Sequence, residues 1–257
     1  MKVPEDWWKD YFNEIYLITD ARSVCNTSLT RREVSLLEKL LSLDKNEPIL
    51  DLCGGQGRHS LELAKRGYEN LTVLDSSGYL VNLGKKRARQ QNYKIRFLRR
   101  DARTTRLKSA AYSNIFILAN SFGYFPKENQ NLKILKETHR ILKKRGKLLL
   151  DLTDSRHVKK NLKPVSWHKA CKDISVLRKR TLVGNVVNAR EIVISQKKGI
   201  IRDGLYCERL YTKNAAYGLL KKAGFGKVLF QGGISLYRNK KDYGLMSKRM
   251  FITAIKA

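Results

Sequence analysis

The sequence predicts a doubly wound α/β fold: a mostly parallel seven-stranded sheet with helices on both faces, a helical N-terminal segment and an inserted antiparallel β-sheet. Three observations carry this expectation. Residues 49–60 run from an apolar strand, Ile49-Leu50-Asp51-Leu52, through a glycine-dense turn, Cys53-Gly54-Gly55-Gln56-Gly57, into a helix opening at Arg58. From there to Asp151, short apolar strands alternate with helical segments, the pattern of a parallel sheet covered on both faces. Beyond residue 155 the alternation gives way to strand-like runs separated by turn residues.

Each element follows from local chemistry. Trp7, Trp8, Tyr11, Phe12, Ile15 and Tyr16 recur at helical spacing and predict an aromatic amphipathic helix over 5–18. Thr30 reads as the N-cap of a helix to about Leu43, with Glu33 in the capping-box position and Val34, Leu37, Leu40 and Leu41 as its buried stripe. Asp44–Pro48 breaks the chain before the first strand. Helices over 58–66, 78–91 and 128–143 then separate strands at 70–75, 94–98, 114–119 and 147–151, and Gly67 suits a left-handed helix end. Three antiparallel strands are expected at 174–182, 186–195 and 200–209, divided by Gly184-Asn185 and Lys197-Lys198-Gly199. A helix over 212–223, closed by Gly224, leads to strands near 226–231 and 249–256. The expected units are residues 1–46, a core of 47–155 with 210–257, and an insertion of 156–209.

Composition narrows the function classes. No stretch approaches the roughly 18–20 uncharged apolar residues of a membrane span. The first residues lack the pattern of a secretion signal, so a cytoplasmic protein without membrane contact is expected. Cys25, Cys53, Cys171 and Cys207 are scattered without Cys-x-x-Cys pairs or zinc-ligand spacing, which predicts reduced thiols and no metal. Net charge is +30, from 53 basic and 23 acidic side chains. Such a surface attracts polyanions. The basic residues spread over short clusters such as Lys85-Lys86-Arg87 and Arg178-Lys179-Arg180, so a solvated coat and an anionic partner both remain open.

A glycine turn after the first strand and a carboxylate, Asp75, ending the second are how such sheets bind nucleotide-like ligands. The turn lacks Gly-x-Gly-x-x-Gly and the chain lacks a P-loop. At this point it resembles the class I S-adenosylmethionine-dependent methyltransferases, which have a Rossmann-like sheet. Ile49–Ser60 resembles their first motif, Thr72-Val-Leu-Asp75-Ser-Ser their acidic strand end, and Arg100-Asp101-Ala102 their adenine-contacting segment. Asn120-Ser-Phe-Gly-Tyr-Phe125 and Ile141–Asp151 complete the set. Leu210-Tyr211, the helix after it and Ala223-Gly224-Phe225 resemble a bacterial and archaeal subgroup with an inserted β-sheet. Cys53 stands where the family commonly has its first glycine; a negative φ is expected there. Ser113 stands where members often have Asp.

The resemblance implies roles. Backbone around Asp51, Cys53, Gly55 and Gly57 would approach the methionine part of S-adenosylmethionine, with Asp51 attracting its ammonium. Asp75 would accept both ribose hydroxyls, and Asp101 with the Ala102 amide would read the adenine edge. Arg58 and Ser76 flank these positions, while Asn120 and Ser121 would border the sulfonium. Tyr11 and Tyr16 resemble lid residues, and Tyr16 also counts towards the cofactor site. His59 lies beside the turn and His139 is expected to be structural. For catalysis the candidates are Tyr16, Tyr124, His157 and His168; for the acceptor side they are Tyr11, Tyr124, Arg209, Tyr211, Tyr237 and Arg249. Methyl transfer from a sulfonium is a direct displacement, needing a base only for a protonated acceptor.

The expected activity is therefore methyl transfer to N or O of a small molecule, with the insertion as acceptor pocket. An RNA methyltransferase using the basic surface is the alternative, weakened by the lack of an Asn/Asp-Pro-Pro-Tyr/Phe motif and of a separate RNA-binding module. A non-catalytic protein on the same scaffold is the third reading, disfavoured by the acids at 51, 75 and 101. The sequence is silent on oligomeric state.

Overall fold

A computed structural model describes residues 1–232, 234, 236 and 244–257. Helices α1 (Trp8–Tyr11), α2 (Glu14–Thr19), α3 (Ala21–Val24) and α4 (Thr27–Leu41) precede β1 (Ile49–Leu52). Then come α5 (Arg58–Lys65), β2 (Leu71–Asp75), α6 (Gly78–Gln90), β3 (Ile95–Arg99), β4 (Tyr112–Ile117), α7 (Glu128–Ile141) and β5 (Leu142–Thr153). The chain continues through α8 (Ser155–Asn161), β6 (Val165–Lys169), β7 (Ile174–Val183), β8 (Val186–Ser195) and β9 (Gly199–Arg209). It ends with α9 (Lys213–Lys222), β10 (Phe225–Gln231), a 3-10 turn at Gly244–Ser247 and β11 (Arg249–Lys256).

Seven strands form one sheet in the order β10-β11-β5-β4-β1-β2-β3, in which β11 alone runs antiparallel to its neighbours. The four residues of β1 are all buried, as expected of a central strand covered on both faces. Order reverses between β1 and β4, which places the carboxyl ends of β1, β2 and β4 around one crevice. Strands β6–β9 form a separate antiparallel sheet between β5 and α9.

Several expectations are corrected. Residues 5–18 do not form one helix: Asn13 accepts the Ile15 N–H at 3.0 Å and starts a second helix after the break at Phe12. The cap of α4 is Asn26, not Thr30; its side chain accepts the Leu29 N–H one turn earlier. Thr30 instead donates to the Asn26 carbonyl at 3.0 Å, and Glu33 is drawn into a buried ion cluster. Strand β5 begins before Gly146, whose missing side chain is required because a Cβ would lie 2.7 Å from the Lys143 carbonyl. The insertion has a fourth strand, β6, paired antiparallel with β7. Its sequence, Val-Ser-Trp-His-Lys, is short and lies on an edge with Val165 and Trp167 exposed, so apolar patterning gave little signal.

Candidate active site

The crevice, partly open to solvent, offers about 1000 Å³ above the carboxyl ends of β1, β2 and β4. Its floor is the turn after β1. Gly55 (φ +55°) and Gly57 (φ +69°) take left-handed backbone that glycine adopts without penalty. Gly54 is needed for another reason: a Cβ there would sit 2.5 Å from the Asp51 carboxyl carbon. Cys53 has φ +59°, so the expected negative φ is wrong; a side chain here is carried on left-handed backbone. Burial holds the Cys53 thiol well above its usual range, which leaves it protonated.

Asp75 lines the crevice and is fastened by backbone: Gly55 N–H donates to Oδ2 and Ser77 N–H to Oδ1, each at 2.8 Å. Burial raises its pKa, these amide bonds oppose the rise, and no cation contributes. Asp51 is buried beneath the turn and accepts the Ser60 hydroxyl at 3.0 Å. Desolvation pushes it up to about 7, with Ser60 and Arg58 pulling the other way. Asp101 also lines the crevice but is held by Arg103, at 2.6 Å between Nη2 and Oδ2, which lowers its pKa against the effect of burial. The Arg103 guanidinium in turn lies 4.4 Å from the Phe125 ring centre.

One buried cluster sets the end of β4. Glu33 accepts from Arg58, Arg249 and, at 2.9 Å, His59 Nε2. Arg249 donates to Asp151, whose Oδ2 takes the Ala119 N–H at 2.6 Å. Ala119 and Asn120 are both left-handed, at φ +55° and +57°, and the Asn120 amide oxygen accepts the Thr153 N–H. Desolvation, reinforced by Arg58, lowers His59 to about 4, so it is neutral and donates its Nε2–H to Glu33.

The N-terminal helices cover this region. Ser77 donates to the Phe12 carbonyl at 2.6 Å and Trp7 Nε1 to the Tyr124 carbonyl at 3.2 Å. Phe12 stacks on Tyr124 with ring centres 5.4 Å apart. Between these aromatics and the inserted sheet lies a second chamber of about 860 Å³. Phe12, Tyr16, Val24, Arg58, Ala119 and Tyr124 line both spaces and so form their shared wall.

Of the residues singled out by sequence, the crevice gathers Tyr16, Asp51, Cys53, Gly55, Arg58, Asp75, Ser76, Asp101, Ala102, Ser121 and Tyr124. Gly57 instead supports the turn from below, where a Cβ would lie 2.8 Å from the Phe97 ring. Asn120 and Tyr11 line the second chamber. Arg209 donates to the Pro126 carbonyl at 3.0 Å, Tyr211 packs on Phe122 and Arg249 sits in the ion cluster; none of the three lines either space. His157 pairs with Asn161 on α8 and His168 with the Thr19 carbonyl, also away from both. Tyr237 lies outside the described residues. Burial pushes the phenols of Tyr16 and Tyr124 up, which makes them hydrogen-bond donors rather than bases.

Sequence reasoning missed Gln56, Leu80, Gly123 and Phe125 in the crevice, and Arg178, Arg180, Tyr206 and Glu208 in the chamber. Arg178-Lys179-Arg180 reads as surface charge, yet only Lys179 is exposed. The available signal was position: on a strand, 178 and 180 share a face.

A methyltransferase-domain family model matches residues 49–146, which span the turn, Asp75, Asp101 and the end of β4. That segment is thus similar to a methyltransferase domain. Over 114 residues this chain is 30% identical to the Bacillus subtilis (strain 168) protein named "Putative methyltransferase YqeM", covering 44% of this chain and 45% of that one. It is 29% identical over 114 residues to the glycine/sarcosine N-methyltransferase of Parasynechococcus marenigrum (strain WH8102), covering 44% of this chain and 40% of that one. The matched segment thus spans less than half the length of these relatives. The fold extends further: an S-adenosylmethionine-dependent methyltransferase from Clostridium acetobutylicum ATCC 824 superposes with a TM-score of 0.75 at 15% identity, over 95% of this chain and 96% of that one.

Proposed function

We propose that this protein transfers a methyl group from S-adenosylmethionine to a nitrogen or oxygen atom of a small molecule. The observation that carries the reading is the Asp75 carboxylate: it is half-buried beside the glycine turn, lines the crevice, is oriented by two amides and has no ion-pair partner among the described residues. An acceptor-only group left this way suits vicinal hydroxyls. Around it the residues fit a nucleoside. Leu80, Ala102 and Ile134 offer apolar contact for a base, and Asp101 and Gly55 line the same crevice.

Bound there, the cofactor supplies a methyl group already activated by a sulfonium, so the chain needs chiefly to align the reactants and exclude water. Asp75 would hold the ribose and Asp51 the ammonium. Phe12, Tyr16 and Tyr124 would shut water out from above. A small acceptor is favoured by the chamber next to the crevice and by the Parasynechococcus marenigrum relative, which is named for N-methylation of glycine and sarcosine. The net charge of +30 favours RNA as the second reading.

Calorimetry with S-adenosylmethionine and S-adenosylhomocysteine tests the cofactor assignment. One-to-one binding is expected for both; folded protein giving no heat with either would overturn it. Labelled-methyl transfer to RNA with steep salt dependence, and none to metabolites, would replace the small-molecule acceptor.

A further inference from the structure

The wall of the second chamber is the inward face of the inserted sheet. Register aligns Arg178, Glu191 and Gly204 across β7, β8 and β9; Arg180, Ala189 and Tyr206 follow, then Leu182, Val187 and Glu208. A sheet present only for packing would place aliphatic side chains here, because desolvating charge is unfavourable. Arg178, Arg180, Glu191 and Glu208 are nevertheless each at most 8% exposed.

Half of this set is neutralised within the protein. Glu191 accepts from Arg178 Nε at 2.7 Å and from Arg202 Nη1 at 3.2 Å, and Arg178 also reaches Asp20 at 2.8 Å. The other half is not. Arg180 donates from Nη1 to Ser166 Oγ at 2.8 Å, but its buried Nε has no hydrogen-bond partner. Glu208 forms no ion pair among the described residues; burial raises its pKa, and Asn120, Thr153 and Arg180 offset the rise incompletely. A buried polar atom without a partner, such as Arg180 Nε, is rare and calls for a missing ligand. Glu208 is hydrogen-bonded by Asn120 and Thr153 yet keeps an acceptor-only charge with no ion pair in the chamber wall. The two positions lie two strands and one pleat apart, roughly 12 Å between Cα atoms at standard spacings.

Building on the methyl-transfer reading above, we propose that this chamber takes an amine that also carries an anionic group, a carboxylate or a phosphate, with Glu208 receiving the amine and Arg180 the anion. Glu208 stands at the end of the chamber that adjoins the crevice, which is where the amine has to meet the methyl group: Asn120, beside Glu208, lines the chamber, and its neighbour Ala119 lines both spaces. The acceptor enters as an ammonium ion, and the Glu208 carboxylate takes one of its protons. The freed nitrogen lone pair forms the N–C bond as the S–C bond breaks. Sulfur keeps that electron pair as a neutral thioether, the methylated nitrogen bears the positive charge, and Glu208 later releases its proton to solvent. Tyr16 and Tyr124, held protonated by burial, do not compete for this role.

A labelled-methyl screen of the full chain tests the assignment, with S-adenosylhomocysteine calorimetry in parallel. Glycine and β-alanine probe the carboxylate, O-phosphoethanolamine and glucosamine 6-phosphate the phosphate; ethanolamine and glucosamine are their uncharged counterparts, and glucose 6-phosphate lacks the amine. At least one anionic amine is expected to exceed its uncharged counterpart about tenfold in kcat/KM, the scale of one charge-assisted hydrogen bond. Glu208→Gln should lower kcat by about 100-fold, as loss of a general base does, with homocysteine-product affinity within threefold of the parent's. Arg180→Gln should raise KM about tenfold for anionic acceptors alone. Should Glu208→Gln fail to fold, Glu208→Asp, which retracts the charge, must lower kcat rather than raise KM. If the product binds while labelling is confined to uncharged amines or RNA, or is absent across the panel, the amine–anion assignment falls and the cofactor reading stands. Unchanged kcat in folded Glu208→Gln removes Glu208 in the same way. No product binding removes both.

Discussion

Where β1 and β5 cross the larger sheet, the buried side chains are mostly aliphatic, Leu50, Leu52, Leu148, Leu149 and Leu150 among them, with Asp51 and Asp151 the only buried acids on the two strands and both tied to backbone or side chains around the crevice. Across β7–β9 the inward face instead mixes Val176, Val187 and Ala189 with two arginines and two glutamates. Cohesion and recognition are thus divided between the sheets. The larger one supplies cohesion and presents its ligand-facing groups only where strands end. The smaller one gives up apolar burial along its length to place charge inside the chamber.

That division is broken most sharply by Leu150→Ala. Leu150 is fully enclosed, and the substitution removes three methyl or methylene-equivalent carbons from a packed layer, so the expected loss is about 2–5 kcal/mol in urea unfolding. A loss below about 1 kcal/mol would mean that the layer collapses around the gap and does not dominate stability. Next in size is Asp75→Ala. It should leave unfolding nearly unchanged but weaken cofactor binding by roughly 1–3 kcal/mol, since it removes an acceptor while freeing only two amides that water can reach. Unchanged affinity by calorimetry would take Asp75 out of the site.

These two positions also explain what the sequence made legible. Leu148–Leu152 and Ile49–Leu52 are local signals, since a continuous apolar run has few ways to be satisfied other than in a central parallel strand. The crevice is equally local: Gly54, Gly55 and Asp75 act through turn geometry and strand ends, all within one βαβ unit. The chamber is not local. Tyr11, Asn120, Arg180 and Glu208 come from four separate elements, and only the register of β7–β9 and the docking of the N-terminal helices bring them together. Glu33 failed for the same reason, since its helical position suggested a cap while its partners Arg58, His59 and Arg249 lie on α5 and β11.

A third prediction concerns Asp51, with its pKa raised to about 7. Its folded pKa exceeds the ordinary carboxylate value, so the protonated form favours the ligand-free fold. That contribution is complete at low pH and is lost as pH rises from about 4 through 7. A bound ammonium favours the ionised carboxylate instead. Cofactor affinity should therefore climb with pH up to about 7 and level off above it, with a slope near 1.4 kcal/mol per pH unit on the acidic side. Calorimetry in buffers of different ionisation enthalpy should register proton release below pH 7. Asp51→Asn should flatten the profile; a profile that keeps its slope in that variant would assign the titration elsewhere.

The smallest expected change in stability belongs to Arg180→Met, and it bears most directly on the contrast between the sheets. Removing a buried cation normally exposes a partner's charge, but Arg180 acts on Glu208 only at longer range, forms no direct ion pair among the described residues and carries a buried Nε with no acceptor. Methionine keeps an unbranched chain of similar reach and needs no hydrogen bonds. The bond to Ser166 Oγ and a long one, 3.4 Å, to the Lys163 carbonyl are lost; the Ser166 hydroxyl belongs to an edge strand and is partly exposed. Unfolding free energy should therefore stay within about 1 kcal/mol of the parent or rise, as in other replacements of buried charge by apolar side chains. A loss of several kcal/mol would show that the arginine holds β6 and β7 together, and the charged face would then be structural. A neutral result with impaired acceptor binding would mean that its charge is maintained at the expense of the fold and for the benefit of the ligand.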